Sequence, residues 1–182
     1  MQYRRLGTNG PQVPVVGFGA WPIGGGMGSV DEKTAVKTVQ AAIDQGLTLI
    51  DTAEGYKASE SFIGKALTEG YRERCFLATK VSVDFSPEGI RKAMENSLRA
   101  MGVDYVDLYQ VHRYPDEYDV EKTMETMQRL QEEGKARYIG ASSMAAWQFA
   151  KAQYTADLGG LSRFVTMQNH YNLIYREEER EM

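Results

Sequence analysis

Asp51, Tyr56, Lys80 and His112 are side chains that together can deliver a proton to an oxygen at neutral pH. A tyrosine ordinarily titrates near ~10, too high for ready proton exchange at pH 7, but a nearby ammonium favours the phenolate and lowers that value. Lys80 can supply the ammonium, and Asp51 can hold it charged and oriented. His112 can hydrogen-bond the oxygen that receives the proton and so orient the molecule carrying it. A tyrosine tuned in this way suits protonation of the oxyanion formed when hydride reaches a carbonyl carbon.

The spacing of these residues says what must hold them. Five apolar, strand-like runs each end on a polar residue: LTLID on Asp51, CFLATK on Lys80, YVDLYQVH on His112, RYIGAS on Ser142 and FVTMQ on Gln168. The intervals are 29, 32, 30 and 26 residues, each enough for one strand, one helix and two loops. Strands alternating with helices imply a parallel sheet covered by helices. An open doubly wound sheet gathers its binding residues mainly around one switch point, whereas a closed parallel barrel takes chemistry from the C-terminal ends of many strands. Every strand from the second to the sixth contributes here, which favours a (β/α)8 TIM barrel. A full barrel has eight units and typically ~250 residues. Six strands can be read in the 182 residues, so the expectation is one domain over 1–182, a barrel truncated after about six strands.

Local signals fill in the elements. Residues 1–16 read as an N-terminal β-hairpin around Thr8-Asn9-Gly10, and VVGFGAW as the first barrel strand. Asp31 can cap a helix bearing Ala35, Val36, Val39, Ala42 and Ile43 on one face and stopped by Gly46. Ser59 can cap a second, with Phe62, Ile63, Ala66 and Leu67 inward and Gly70 at its end. The third is the clearest, with Ser86 as cap, Pro87 at the first helical position, a stripe of Ile90, Met94, Leu98 and Met101, and Gly102 beyond it. Val120, Met124, Met127 and Leu130 form a fourth stripe ended by Gly134. A fifth helix follows Ser142 and Ser143 with Trp147, Ala150 and Tyr154, and Asn172 is placed to open a sixth through the acidic run 177–181.

Composition narrows the partners. The net charge is -4 with Lys and Arg scattered, so neither nucleic acid nor an anionic membrane surface is expected. The single Cys75 offers no disulfide framework, and MQYRRLGTNG lacks the apolar segment of a signal peptide, so a cytoplasmic setting is expected. No apolar stretch approaches the ~20 residues of a membrane-spanning helix. Gly24-Gly25-Gly26-Met27-Gly28 opens no helix at phosphate-binding spacing and reads as a flexible loop. No metal is expected, because His112 and His170 have no Cys or carboxylate at ligand spacing. There is no G-x-S-x-G to support a serine hydrolase. Taken singly, Asp51 could be a turn cap, Tyr56 a loop aromatic, His112 a structural histidine, and Ser142 and Ser143 helix caps. It is their joint arrangement at matching strand ends that argues for one site.

The set Asp51-Thr52-Ala53-x-x-Tyr56, Lys80 after FLAT, His112 after DLYQV, Gly140 to Ser143 as GASS, and Gln168-Asn169 resembles the aldo-keto reductases. These are NAD(P)H-dependent carbonyl reductases on a (β/α)8 barrel, and the resemblance runs over essentially the whole chain. It implies Tyr56 as general acid, Lys80 and Asp51 as its tuning pair, and His112 as the orienting partner. It further implies that Ser142, Ser143 and Gln168 hold the nicotinamide carboxamide, that Asp51 also meets the nicotinamide ribose, and that Gly19, Ala20 and Trp21 lie beside cofactor and substrate. Ser143 stands where many members have Asn. NADPH is the implied cofactor, with NADH as the alternative, and a small carbonyl compound the implied substrate. Trp21, Tyr56 and Trp147 are candidate pocket walls. The family's last two strands, which carry an aromatic that stacks on the nicotinamide and the groups that bind its phosphates, are not among the six read here. Two other readings remain open, a cofactor-sensing or regulatory subunit like the potassium-channel β-subunits of this family, and an inactive barrel fragment. A homo-oligomer or swapped partner could cover the open barrel edge.

Overall fold

The computed structural model describes residues 1–8 and 10–181. The chain opens with an antiparallel hairpin of β1 (Tyr3–Arg5) and β2 (Gln12–Pro14). The hairpin is as expected, although Asn9 in its turn lies outside the described residues. A parallel sheet follows, made of β3 (Phe18–Gly19), β4 (Leu49–Asp51), β5 (Phe76–Val81), β6 (Val106–Val111), β7 (Ala136–Ser142) and β8 (Met167–Gln168). Its spatial order is the chain order, β3-β4-β5-β6-β7-β8, so each neighbour is reached through one crossover. That is the succession of a (β/α)8 barrel over six strands, and β3 is shorter than the run expected for it.

Helices α1 (Glu32–Asp44), α2 (Ser59–Ala66), α3 (Pro87–Met101), α4 (Val120–Glu132) and α5 (Ala146–Gly159) occupy the crossovers. They form where the sequence provides a start, an apolar stripe and a stop. Asp31 accepts the Thr34 backbone N–H at 3.0 Å, and Ser86 accepts that of Gly89 at 2.9 Å, which satisfies donors a helix start leaves orphaned. Gly102 ends α3 at φ 63°, a left-handed conformation that a side chain disfavours. Ala35, Val39 and Ile43 of α1, Ile90 and Met94 of α3, and Met124, Met127 and Leu130 of α4 are buried against β-strand residues such as Ile50, Leu77, Val106 and Ile139. β6 is buried at all six positions, as a central strand covered on both faces must be.

Four local expectations need correction. Ser59 is the first residue of α2 and not its cap; its hydroxyl donates to Ala20 O at 3.1 Å and bonds Thr52 Oγ1 at 2.8 Å, tying the helix to two strand ends. In α5 the stripe Trp147, Ala150, Tyr154 faces outward, and Ala152 and Ala156 are the buried positions. The opposite stripe wins because Gln153 both donates to Phe164 O and accepts from Phe164 N, while Phe149 stacks on the Phe164 ring. Ser142 and Ser143 do not cap this helix; Gln148 Oε1 accepts the Ala145 N–H at 2.9 Å instead. After β8 there is no sixth α-helix among the described residues, only a 3-10 turn at Glu177–Arg180. Asn172 Oδ1 does accept from Ile174 N and Tyr175 N, but Leu173 and Ile174 are exposed, so no buried stripe carries the turn onward.

The sheet is curled. Gln168 on β8 donates from Nε2 to Asp51 Oδ1 on β4 at 3.4 Å, across a gap that three intervening strands span around the outside. The curl encloses a cavity of ≈ 370 Å³ lined by Leu6, Leu49, Ala78, Leu108, Gln110 and Met167 among others. The hairpin lies at the foot of this space, where Gly7 meets Val165 so closely that a Cβ would stand 2.9 Å from the Val165 carbonyl oxygen.

Candidate active site

The parallel register brings the polar strand ends to one rim. Gly19 pairs with Asp51, Asp51 with Ala78, Lys80 with Gln110, Gln110 with Gly140, and Ser142 with Gln168. Gly19, Asp51, Lys80, Gln110, Ser142 and Gln168 stand at or near the C-terminal ends of their strands, because each parallel crossover returns the chain to the same end of the sheet.

Lys80 is the most constrained member. Its side chain is 1% exposed, and Nζ donates to both carboxylate oxygens of Asp51, at 2.7 and 2.8 Å, and to Thr52 O at 2.9 Å. All three ammonium donors are therefore engaged. Burial pushes the Lys80 pKa down, and the Asp51 carboxylate opposes that shift. Tyr56 lies on the turn after β4, with its ring centroid 5.4 Å from Lys80 Nζ. Its hydroxyl is 3.5 Å from His112 Nε2, the outer limit of a hydrogen bond, and the two rings meet edge to face at 5.6 Å. His112 follows directly on β6, and its other nitrogen, Nδ1, is 2.7 Å from Ser82 Oγ.

The electrostatics differ from the simple expectation at one point. Tyr56 is pushed above its ordinary pKa, first by burial and then by the negative Asp51, and not lowered by Lys80. The ammonium is turned into Asp51 and Thr52 O, and burial and the Asp51 charge are what act on the phenol. Burial and the Lys80 charge push His112 down to about 4 against a smaller opposing pull from Asp51. At pH 7 the site thus holds a protonated phenol beside a neutral imidazole, with an ion pair beneath them. That combination can donate a proton and can hydrogen-bond an acceptor oxygen, and it has no strong base exposed.

The remaining residues expected at the site divide. Ser142 and Ser143 bond each other through their hydroxyls at 3.3 Å, and Ser143 adopts φ 51° with its N–H on Gln168 O. Gln168 accepts from Gln110 Nε2 at 3.0 Å and reaches Asp51. These groups face the rim with donor and acceptor capacity to spare, which fits a planar amide such as a nicotinamide carboxamide. Ala20 is buried, with its N–H on Asp51 O at 2.8 Å, so it joins β3 to the site through its backbone. Trp21 is 45% exposed and lies flat over Gly26, and Trp147 is 59% exposed and leans on Tyr114. The two indoles are not brought together with Tyr56 as walls of the 370 Å³ cavity.

Sequence reasoning missed three groups. Ser82 and Gln110 each stand two residues from a residue it did name, Lys80 and His112, and in a strand that spacing puts both side chains on one face. The period-2 pattern was the signal. The glycine loop was the third. A Cβ on Gly24 would stand 2.1 Å from the Tyr56 carbonyl oxygen, so the loop is packed at Gly24 against the Tyr56 turn.

The model of the "Aldo/keto reductase family" matches residues 15–182. The chain is 40% identical over 193 residues to aldo-keto reductase YhdN of Bacillus subtilis, an alignment covering 98% of this chain and 56% of the relative. It is 34% identical over 219 residues to versiconal hemiacetal acetate reductase of Aspergillus parasiticus, covering 100% of this chain and 62% of that one. Among solved structures, the thermostable aldo-keto reductase Tm1743 in complex with the inhibitor epalrestat superposes with a TM-score of 0.90 at 33% identity. That superposition covers 100% of this chain and 66% of the solved one. The chain spans little more than half the length of the curated relatives it matches.

Proposed function

The chain belongs to the aldo/keto reductase family, and from that premise we propose that its polar rim is the reaction centre of an NADPH-dependent reduction of aldehydes or ketones. A bound nicotinamide would supply the hydride. Tyr56, held protonated by burial, gives its proton to the carbonyl oxygen. The phenolate it leaves is offset by the Lys80 ammonium, whose position is set by Asp51 and Thr52 O. His112 holds the substrate oxygen near the Tyr56 hydroxyl. Ser142, Ser143 and Gln168 are assigned to the carboxamide, Asp51 also to the ribose, and Gly19, Ala20 and Trp21 to the flank of the cofactor. NADH is the alternative hydride source. Cys75 is the single cysteine and is buried, which fits a cytoplasmic setting. Among the described residues, no helix is long and apolar enough to cross a membrane.

The observation that carries this reading is the Tyr56 hydroxyl 3.5 Å from His112 Nε2 above a fully engaged Lys80–Asp51 pair. Tyr56→Phe should lower carbonyl reduction by about 100-fold or more, the scale of a lost proton donor, with an unchanged circular dichroism spectrum. Loss of reduced-nicotinamide absorbance with NADPH and with NADH, over a panel of aldehydes and ketones, measures it. Parent-like turnover in the variant would sink the mechanism.

A further inference from the structure

We propose that Ser82 is a positioning residue that fixes the His112 imidazole as its Nε2–H tautomer, with Nε2 donating toward Tyr56 and the substrate oxygen. The inference rests on the proposed roles of Tyr56 and His112 and adds a residue to them.

The polarity of the contact follows from counting protons. Ser82 Oγ is 2.7 Å from His112 Nδ1. The same oxygen accepts the Gly55 N–H at 3.4 Å, and the Ser82 N–H donates to Glu54 Oε2 at 3.0 Å. Glu54 is itself tied back, its N–H on Lys80 O at 3.0 Å, while the His112 N–H sits on Val81 O at 3.1 Å. Both backbones are thereby held, and Oγ already receives a donor. A hydroxyl has one proton to give, and Nδ1 is the acceptor at hydrogen-bond distance from it; the opposite polarity would set two donors on the two Oγ lone pairs and leave the hydroxyl proton with no protein acceptor among the described residues. Ser82 therefore donates to Nδ1, and a neutral imidazole that accepts at Nδ1 carries its own proton on Nε2.

The consequence reaches the Tyr56 hydroxyl. With a proton on Nε2, the imidazole donates to Tyr56 or to an incoming oxygen, and the Tyr56 proton is left free for the substrate. With the opposite tautomer Nε2 would accept, and the Tyr56 proton would be drawn to the imidazole and away from the carbonyl. Burial that keeps His112 neutral near pH 7 makes this choice of tautomer matter, because a doubly protonated ring would have none to make.

The tautomer can be read directly by long-range proton–nitrogen correlation on the 182-residue chain with ¹⁵N-labelled histidine at pH 7. His170→Gln leaves His112 as the single histidine and makes the assignment unambiguous. The expected spectrum shows Nδ1 unprotonated and Nε2 protonated. Ser82→Ala should raise the Nδ1–H share at least several-fold, and Ser82→Thr, which keeps the hydroxyl, should restore the parent pattern. A protonated Nδ1 in the parent chain overturns the proposal whether or not either variant folds, and so does an unchanged pattern in folded Ser82→Ala. Absence of carbonyl reduction by the parent chain would refute the proposed reaction and leave this measurement standing.

Discussion

Asp51→Asn replaces a charged partner by a neutral one of the same shape and leaves Lys80 ionised in a site where its side chain is 1% exposed. Removing one member of a buried pair costs about 3–5 kcal/mol, because the other charge stays desolvated. Two features of this site set the value within that range. The Asp51 side chain is 20% exposed, and Thr52 O at 2.9 Å remains as an acceptor, so about 3 kcal/mol is expected. The penalty also has a ceiling. Lys80 can release its proton, which at pH 7 costs about 4.6 kcal/mol from an ordinary lysine pKa near ~10.4. In the variant the folded state holds its lysine proton less tightly than the unfolded chain does. Stability must therefore rise with pH, by up to about 1.4 kcal/mol per unit wherever folded Lys80 is neutral and unfolded Lys80 charged. Urea denaturation followed by far-ultraviolet circular dichroism at pH 7 and pH 9 would show both effects. Adding Lys80→Met to Asp51→Asn removes the stranded charge and should recover about 2 kcal/mol, a coupling expected only of residues in contact. A loss below about 1 kcal/mol at pH 7 without pH dependence, or a double variant no more stable than the single one, would refute the account of this pair.

Two further expectations concern the same rim. Gly24→Ala would put a methyl 2.1 Å from the Tyr56 carbonyl oxygen and 2.9 Å from Ser59 Cβ, so the loop and the Tyr56 turn must part by about 1 Å. If Tyr56 is the proton donor, that displacement should cost up to about 100-fold in kcat, and the clash with backbone should lower stability by about 1–3 kcal/mol; an unaltered rate in the folded variant would show that the turn does not depend on the loop. His112, neutral down to about 4 in the fold against 6.5 for the free side chain, should make the protein less stable as the pH falls from 6.5 toward 4. In that window the unfolded chain takes up a proton that the folded one refuses, and with the ring partly exposed the loss should be about 1 kcal/mol. Comparing acid titrations of stability for the parent and His112→Gln tests it, since the variant should lose this part of the slope.

The layout of the fold was legible because each element carries its own signal. The 30-residue alternation, the cap and proline of α3, and the buried stripe of α4 are local regularities that need no knowledge of distant residues. α5 was misread because it carries two competing stripes, and Phe164 and Gln153, more than ten residues apart, settle which one is buried. The segment after β8 was misread because a cap and an acidic run start a turn but supply no buried face to extend it.

For the site, the sequence by itself determined which strand ends carry Asp51, Lys80, His112, Ser142 and Gln168, since residue type and period place them at one end of a parallel sheet. It carried the family signature on the same residues. What only the tertiary structure decided is how these groups are poised. The curl of the sheet brings Gln168 to Asp51, and the Asp51 and Thr52 oxygens take up the Lys80 charge that was expected to tune Tyr56. Burial and the Asp51 charge hold Tyr56 protonated, burial and the Lys80 charge hold His112 neutral, and Ser82 is added beneath the imidazole. Proton affinities and hydrogen-bond polarity depend on distances of a few ångströms between residues far apart in the chain, and those distances exist only after folding.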